Sequence, residues 1–156
     1  NTAGFMNLPG NPESMPLIEL SWKENGASAA FDFGSTDASD YRAMIIDIAQ
    51  DSSNSLNRRL DQRMKIILTD THGNSQAYLL PRQTAALKWQ RGTVNDIPNF
   101  QGDVLGHYYS ELTPISNIIL PFAFFTEIDL HNLCSMTMEM NTFSGCVMLK
   151  SIYLVK

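Results

Sequence analysis

The sequence predicts an all-β domain, an antiparallel β-sandwich, and three observations support this. In most segments the apolar residues recur with a period of two, the spacing of a strand that buries one face. Turns rich in Gly, Asn, Asp and Ser separate these segments about every 8–12 residues, which is typical of an antiparallel sandwich. The chain also lacks internal repeats, heptads and low-complexity tracts.

Composition narrows the class of protein. A chain of 156 residues with 44% hydrophobic content can bury one core, so we expect a single folded domain. The formal charge is −5 and the 11 Lys and Arg are scattered, which argues against binding to duplex nucleic acid. No apolar run approaches the ~18 residues that span a bilayer. Because the first residue is Asn1, we expect a mature or excised piece of a longer protein, and its compartment stays open.

The first part of the chain is predicted to form short strands. Residues 1–15 are rich in Asn, Pro, Gly and Ser and are expected to form a lead-in segment. Strands are predicted at 16–22 and 27–33, joined by the hairpin signal Asn25-Gly26, and a polar turn follows at 35–40.

The central part continues this pattern. The apolar segment 42–50 is predicted to be a strand, 51–57 a loop, and 58–62 a short helical turn. Two further strands, 64–69 and 76–80, flank the tight connection Asp70 to Asn74.

Residues 81–117 form the least regular stretch, and such long connections are usually functional or disordered. Strands return from residue 118, and the last two, at 134–140 and 146–155, are predicted to form a closing hairpin with a turn that contains Gly145. The two cysteines, Cys134 and Cys146, begin these strands. In the simplest register they do not face each other, so we expect two buried thiols rather than a disulfide.

A series of motifs resembles a known family. They occur in this order: Phe31-Asp32-Phe33, Tyr41, Asp70 to Asn74, Trp89, Leu120-Pro121-Phe122, Ile128-Asp129-Leu130 and Gly145 to Val155. Together they resemble the jelly-roll carbohydrate-binding modules of the galactose-binding-like superfamily, which are attached to bacterial glycoside hydrolases. The resemblance covers residues 16–156 and implies one jelly-roll domain. It departs from the family at Lys150-Ser151, where such modules often carry an acidic pair that helps bind a structural calcium. No cofactor is required, and a structural calcium ion held by other oxygen ligands stays open.

Candidate ligand-binding residues lie on three strands. Asp47 interrupts an apolar strand, and because burial of an unpaired carboxylate is costly, it should line a wet cleft, meet a cation or face water at an edge. Gln76 and Tyr78 share one face of their strand, and Arg63 shares a face with Lys65 on the neighbouring strand. These residues predict either a polar floor with an aromatic platform or a solvated outer face.

The final strands contribute one more candidate. Met136, Met138 and Met140 form a period-two row that we assign to the core, which leaves Glu139 on the opposite face to extend the floor. The phenylalanines at 122, 124 and 125 are likewise assigned to the core.

Three aromatic residues in the irregular region are candidate sugar platforms: Trp89, Tyr108 and Tyr109. Trp89 also fits a core position. Tyr108 and Tyr109 are adjacent and point to opposite sides of an extended chain, so at most one of them serves as a platform.

No catalytic constellation is recognised. His72, His107 and His131 lie in unrelated places without zinc-ligand spacing, and nucleophile-elbow, zinc-protease and phosphate-loop motifs are absent from the sequence. Nothing in the sequence brings two carboxylates together as glycosidases require. We therefore predict that the domain is not an enzyme.

The predicted function is non-catalytic binding of a polysaccharide in a groove on the concave sheet. The resemblance implies a plant cell-wall glycan of the β-glucan, mannan or xylan class, and a secreted or cell-surface bacterial protein with linked catalytic or anchoring modules. Two alternatives remain. One is a structural or protein-interaction sandwich, favoured by a closed groove poor in aromatics; the other is a small lyase or hydrolase, favoured by convergent carboxylates or a His–Tyr pair.

Overall fold

The computed structural model describes residues 3–6, 15–51, 54–89 and 115–156, and the regular structure in these ranges consists of strands and short 3-10 turns. The strands are β1 (Ala3–Met6), β2 (Met15–Trp22), β3 (Ser28–Thr36), β4 (Ala43–Gln50), β5 (Met64–Asp70), β6 (Ser75–Leu79), β7 (Ser116–Pro121), β8 (Leu133–Met140) and β9 (Gly145–Val155). The 3-10 turns lie at Ser55–Asn57, Ala85–Leu87, Phe122–Phe124 and Leu130–Asn132.

The strands form two antiparallel sheets packed face to face. Among the described residues, one sheet has five strands in the order β1-β2-β9-β4-β7, and the other has four in the order β3-β8-β5-β6. Within the same ranges every strand pair is antiparallel. The predicted antiparallel β-sandwich is therefore confirmed.

The core lies between the sheets and is built from alternate residues of the central strands. On β4, Met44, Ile46 and Ile48 are at most 1% exposed. The opposing sheet contributes the buried residues Met64, Ile66 and Leu68 of β5 and Met136, Met138 and Met140 of β8. The methionine row assigned to the core is therefore confirmed, and each such side chain contributes roughly 1.5–3 kcal/mol on burial.

Two predicted hairpins turn out to be connections between the sheets. Gly26 adopts a positive φ of 82°, as the Asn-Gly signal requires, but β2 belongs to the five-stranded sheet and β3 to the four-stranded sheet. The closing pair β8 and β9 is divided in the same way. A tight turn reverses the chain without making the flanking strands partners, and here each strand pairs with another neighbour.

Three local expectations also differ from the structure. The lead-in segment contains β1, which pairs with β2 from Ala3 opposite Ile18. In the segment predicted as a helical turn, Arg58 and Arg59 instead have left-handed φ values of 51° and 57°. Phe124 is 45% exposed, although its neighbours Phe122 and Phe125 are buried as predicted.

Both cysteines are free thiols, as predicted; Cys146 is buried, whereas Cys134 is only half-buried. Burial raises the pKa of the Cys146 thiol to about 12, and the neighbouring Glu19 and Asp51 carboxylates add to this effect.

The Asp70 carboxylate ties two turns together at one end of the sandwich. Asp70 is 2% exposed. Its oxygens accept hydrogen bonds from the backbone amides of Asp129, Asn74 and His72, and from the Asn74 side chain, all at 2.9 Å. These donors, led by the Asp129 amide, lower the pKa of Asp70 to about 2.

Asp70→Asn tests this carboxylate through the pH dependence of stability. The pKa of Asp70 is lower in the folded state than in the unfolded state. Its contribution to the free energy of unfolding is therefore complete above the unfolded pKa of about 4 and is lost as pH falls towards 2. We expect the variant to be less stable at pH 7 and to lose less stability than the wild type between these two pH values. Chemical denaturation at several pH values measures both effects.

Asp40→Asn, which makes the same change at an exposed carboxylate outside the Asp70 hydrogen bonds, is the control variant. An Asp70→Asn curve parallel to that of the wild type would contradict the role of this carboxylate.

Gly145 stands where the backbone approaches the core tryptophan. The Trp22 indole nitrogen donates to the Thr142 carbonyl at 3.0 Å, and the Thr142 hydroxyl donates to Gln62 Oε1 at 2.5 Å. A Cβ on residue 145 would lie 2.6 Å from Gln62 Oε1 and closer still to the indole ring. No L side chain fits there unless the buried ring moves.

We expect Gly145→Ala to destabilise the domain by about 1–3 kcal/mol, the usual cost of overpacking a core. Urea unfolding followed by Trp fluorescence measures it, with exposed Ser28→Ala as the control. A variant as stable as the wild type would mean that Trp22 has room to shift.

Candidate functional site

The outer face of the four-stranded sheet is formed mainly by small and polar residues. Cross-strand neighbours on this face are Ser28, Ala30, Asp32, Lys65, Ile67, Thr69, Ser75, Ala77, Leu79, Ser135, Thr137 and Glu139. Lys65 and Glu139 form an ion pair at 2.8 Å with both side chains about one-third exposed. Such a surface is typical of a solvated sheet face.

The outer face of the five-stranded sheet carries an apolar row instead. Tyr153, Ile45 and Ile119 lie directly opposite one another on β9, β4 and β7, and we call them the Tyr153 row. Tyr153 is 42% exposed and Ile119 is 57% exposed. The next row, Val155, Ala43 and Pro121, extends the apolar surface. This row is a candidate binding surface, because contiguous exposed apolar patches often mark interaction sites.

A polar row borders the Tyr153 row on its other side. Asp47 of β4 lies opposite Ser151 of β9 and Asn117 of β7. The Asn117 amide donates to Asp47 Oδ1 at 2.6 Å, and the Ser151 hydroxyl donates to Asp47 Oδ2 at 2.6 Å. Asp47 thus lies on a half-buried sheet surface, with its carboxylate fixed by two neighbours.

A bulge in β9 adds a basic residue beside this polar row. Asp47 pairs with Ser151 but the next residue, Ile48, pairs with Leu149, so Lys150 is the extra residue. Lys150 is exposed. Bulges often redirect a side chain near functional sites.

This arrangement suits a ligand with both apolar and hydroxylated surface. The Tyr ring and the aliphatic side chains offer contact to C–H groups, and an ionised carboxylate has about four acceptor sites, of which its neighbours occupy two. Small-molecule sites have this composition, apolar with a few fixed polar groups.

The structure places Gln76 and Tyr78 away from the Asp47 surface. In β6, Tyr78 lies opposite the core residue Ile66, so both candidates face the inner side of the sheet. The Tyr78 ring packs edge-on against Phe124 with centroids 4.8 Å apart. Gln76 donates to the Phe124 carbonyl and accepts from the Glu127 amide, each at 2.9 Å. Both side chains contact the turn that follows β7.

The expected polar floor is therefore not one surface. Glu139 lies on the outer face of the four-stranded sheet, Arg63 is exposed just before β5, and Asp47 lies on the other sheet. The β5–β6 register places Lys65 opposite Leu79, so Tyr78 faces the opposite side from Lys65. Each strand alternates as predicted, but the register between the two strands places Tyr78 and Lys65 on opposite faces of the sheet.

The aromatic candidates of the irregular region are only partly described. Trp89 is half-buried, and its backbone amide donates to Asp61 Oδ1 at 2.9 Å while Lys88 binds Asp61 Oδ2 at 2.7 Å. Tyr108 and Tyr109 lie outside the described residues.

Sequence reasoning missed Tyr153, Ile119, Asn117 and Ser151. One signal was available, since the alternation of β4 places Ile45 on the same face as Asp47. Both faces of β4 are apolar, however, so the alternation alone did not reveal which face is exposed.

Within the described ranges, no three His, Cys, Asp or Glu side chains converge as a cation site, and the calcium expectation stays a prediction. Two exposed contacts, His131 with Asp37 at 3.4 Å and His72 with Asp129 at 3.9 Å, lie in the turns. In the same part of the chain no helix has the length and apolarity to cross a membrane.

Comparison with known proteins gives matches in structure but not in sequence. No protein-family model matches the chain, and no curated protein sequence does. A family 11 carbohydrate-binding module from Clostridium thermocellum, solved with a β-1,3-1,4-mixed-linked tetrasaccharide, aligns with a TM-score of 0.53 and 14% identity over 99% of this chain and 81% of its own.

A second solved structure gives the same result. It is a carbohydrate-binding module, CBM28, described as specific for non-crystalline cellulose, and it aligns with a TM-score of 0.54 and 14% identity over 99% of this chain and 80% of its own. Both are jelly-roll β-sandwiches, so the jelly-roll prediction is confirmed. The chain therefore shares the jelly-roll fold of carbohydrate-binding modules.

Proposed function

We propose that this domain is a non-catalytic carbohydrate-binding module that binds a polysaccharide on the outer face of its five-stranded sheet. The observation that carries the proposal is the Tyr153 row, an exposed apolar strip beside the fixed carboxylate of Asp47. The jelly-roll neighbours support it, because both are carbohydrate-binding modules.

In the proposed mechanism the Tyr153 row packs against the C–H surface of successive sugar rings. The row crosses three neighbouring strands, a span of about 10 Å at the usual strand spacing. Asp47 accepts hydrogen bonds from sugar hydroxyls, and Lys150 donates from the bulge. Because Asn117 and Ser151 already orient the carboxylate, little conformational entropy is lost when it binds.

The proposed ligand is a neutral plant cell-wall β-glucan, with mannan and xylan as the alternatives. We place mixed-linkage glucan and non-crystalline cellulose first among the β-glucans. One structural neighbour was solved with a mixed-linked tetrasaccharide, and the other is described as specific for non-crystalline cellulose. In this proposal the domain delivers a linked enzyme to the glycan or anchors a secreted bacterial protein to it. Three aromatic residues of the connection before β7 stay predicted to contribute to glycan binding: Trp89, Tyr108 and Tyr109.

Protein interaction is the second candidate, and the edge strand β7 favours it. In the described residues β7 pairs with β4 alone, and its outward residue Ile119 is 57% exposed. An exposed apolar edge can add a strand from a partner.

Native affinity electrophoresis against soluble β-glucans, mannans, xylans and pectins, with and without a chelator, tests the proposal. We expect retardation by a β-glucan and a loss of affinity of about tenfold or more in Tyr153→Ala and Asp47→Ala, because tenfold is about 1.4 kcal/mol and truncation of a central anchor residue costs about 2 kcal/mol or more.

Leu79→Ala is the matched control, because this 68% exposed side chain lies on the outer face of the other sheet. It should migrate like the wild type. If no neutral glycan retards the wild-type protein, or if Tyr153→Ala binds normally, the outer face of the five-stranded sheet is not the glycan site.

A further inference from the structure

A basic and aromatic cluster is exposed at the loop end of the sandwich. It consists of Arg58, Arg59, Leu60 and Arg63 from the β4–β5 connection and Phe143 from the β8–β9 turn, and we call it the Arg58 cluster. Phe143 is 64% exposed and Leu60 is 61% exposed. The Arg58 guanidinium lies 5.4 Å from the centroid of the Phe143 ring.

The cluster lies far from the Tyr153 row. Phe143 comes just before β9, whereas Tyr153 is near its other end. The separation of residues 145 and 153 along an extended strand is about 26 Å. The two surfaces are therefore distinct.

The backbone beneath the cluster is held rigidly. Asn57 is 1% exposed, and its side chain donates to the Cys146 carbonyl and accepts from the Cys146 amide, both at 2.9 Å. The Ser144 hydroxyl donates to the Leu56 carbonyl at 2.7 Å. The exposed side chains thus stand on a preformed base, which lowers the entropy lost on binding.

The two adjacent arginines adopt an unfavourable backbone conformation. Arg58 and Arg59 have φ values of 51° and 57°, a region that costs energy for residues with a Cβ and that glycine or asparagine occupies more easily. Strain of this kind is concentrated at binding sites and switches. Here it positions the Arg58 guanidinium over the exposed Phe143 ring, with Arg59 next to it in the chain.

The Arg58 cluster carries a local excess of positive charge. In the ranges that the structure describes, none of its three arginines forms an ion pair with a carboxylate. The connection contains two acidic residues, Asp51 and Asp61, and Asp61 is bound by Lys88 at 2.7 Å. On a chain of net charge −5, this local excess of basic groups favours an anionic ligand.

We propose that the Arg58 cluster is a second binding site, for saccharides that carry a carboxylate, such as glycans containing uronic acid. The guanidinium fork matches a carboxylate with two parallel hydrogen bonds. The exposed part of the Phe143 ring accepts the C–H surface of the same sugar ring. A uronic acid residue carries a carboxylate and a C–H face on one rigid ring. The Arg58 guanidinium and the Phe143 ring, 5.4 Å apart, are close enough to contact the carboxylate and the C–H face of one such residue.

Isothermal titration calorimetry with an oligogalacturonate tests this site, with a neutral β-glucan oligosaccharide and polyglutamate titrated in parallel. Arg58→Asn and Arg59→Asn remove the charge while keeping a residue that tolerates the left-handed backbone. Arg42→Asn is the control, because it removes the same charge at the other end of the sandwich. There the backbone amide of Arg42 donates to the Val155 carbonyl at 2.7 Å.

We expect oligogalacturonate binding that falls about tenfold in Arg58→Asn, Arg59→Asn and Phe143→Ala but persists in Arg42→Asn and in Tyr153→Ala. Binding of the neutral oligosaccharide should not change in the three cluster variants, which separates this site from the proposed glycan face. Absence of oligogalacturonate binding, an equal loss in Arg42→Asn, or equally tight binding of polyglutamate would overturn the proposal.

Discussion

The burial of Met44, Ile46 and Ile48 against the four-stranded sheet is the constraint on which the rest of the structure depends. These β4 side chains fill the centre of the core, so the intervening residues Ile45 and Asp47 must lie on the outer face. β4 pairs with both β9 and β7. The orientation of the β4 side chains therefore determines which residues of these two strands lie on the outer face. The Tyr153 row and the Asp47 row follow from this single choice.

The sequence was sufficient for the fold class because alternation and turn spacing are local properties. It also singled out Asp47, since a carboxylate in an apolar strand must find water or a partner. The set of residues that form the site could not be predicted in this way, because strand pairing brings them together from distant parts of the chain. Tyr78 and Lys65 each follow a clear alternation, but the register across the Asp70 hairpin places them on opposite faces. Asn117 and Ser151 reach Asp47 from positions 70 and 104 residues away, and no local pattern reveals such pairings.

The turns perform different tasks at the two ends of the sandwich. At one end, the Asp70 carboxylate binds amides of its own turn and of the turn at Asp129, which stabilises the connections. At the other end, Asn57 and Ser144 hold the loop, and the polar and aromatic side chains above them stay exposed. The rigid core thus presents two unlike surfaces, one apolar strip with a carboxylate and one basic cluster with an aromatic ring.

The most direct test of the central claim is to map bound glycan by NMR chemical-shift changes during titration with a mixed-linkage β-glucan oligosaccharide. The account predicts that the largest changes fall on Tyr153, Ile45 and Ile119 and on the neighbouring Asp47 and Ser151. Residues on the outer face of the four-stranded sheet, such as Thr137 and Ala77, should remain unchanged. Changes concentrated on that opposite face, or absent from the Tyr153 row while the sugar binds, would contradict the account.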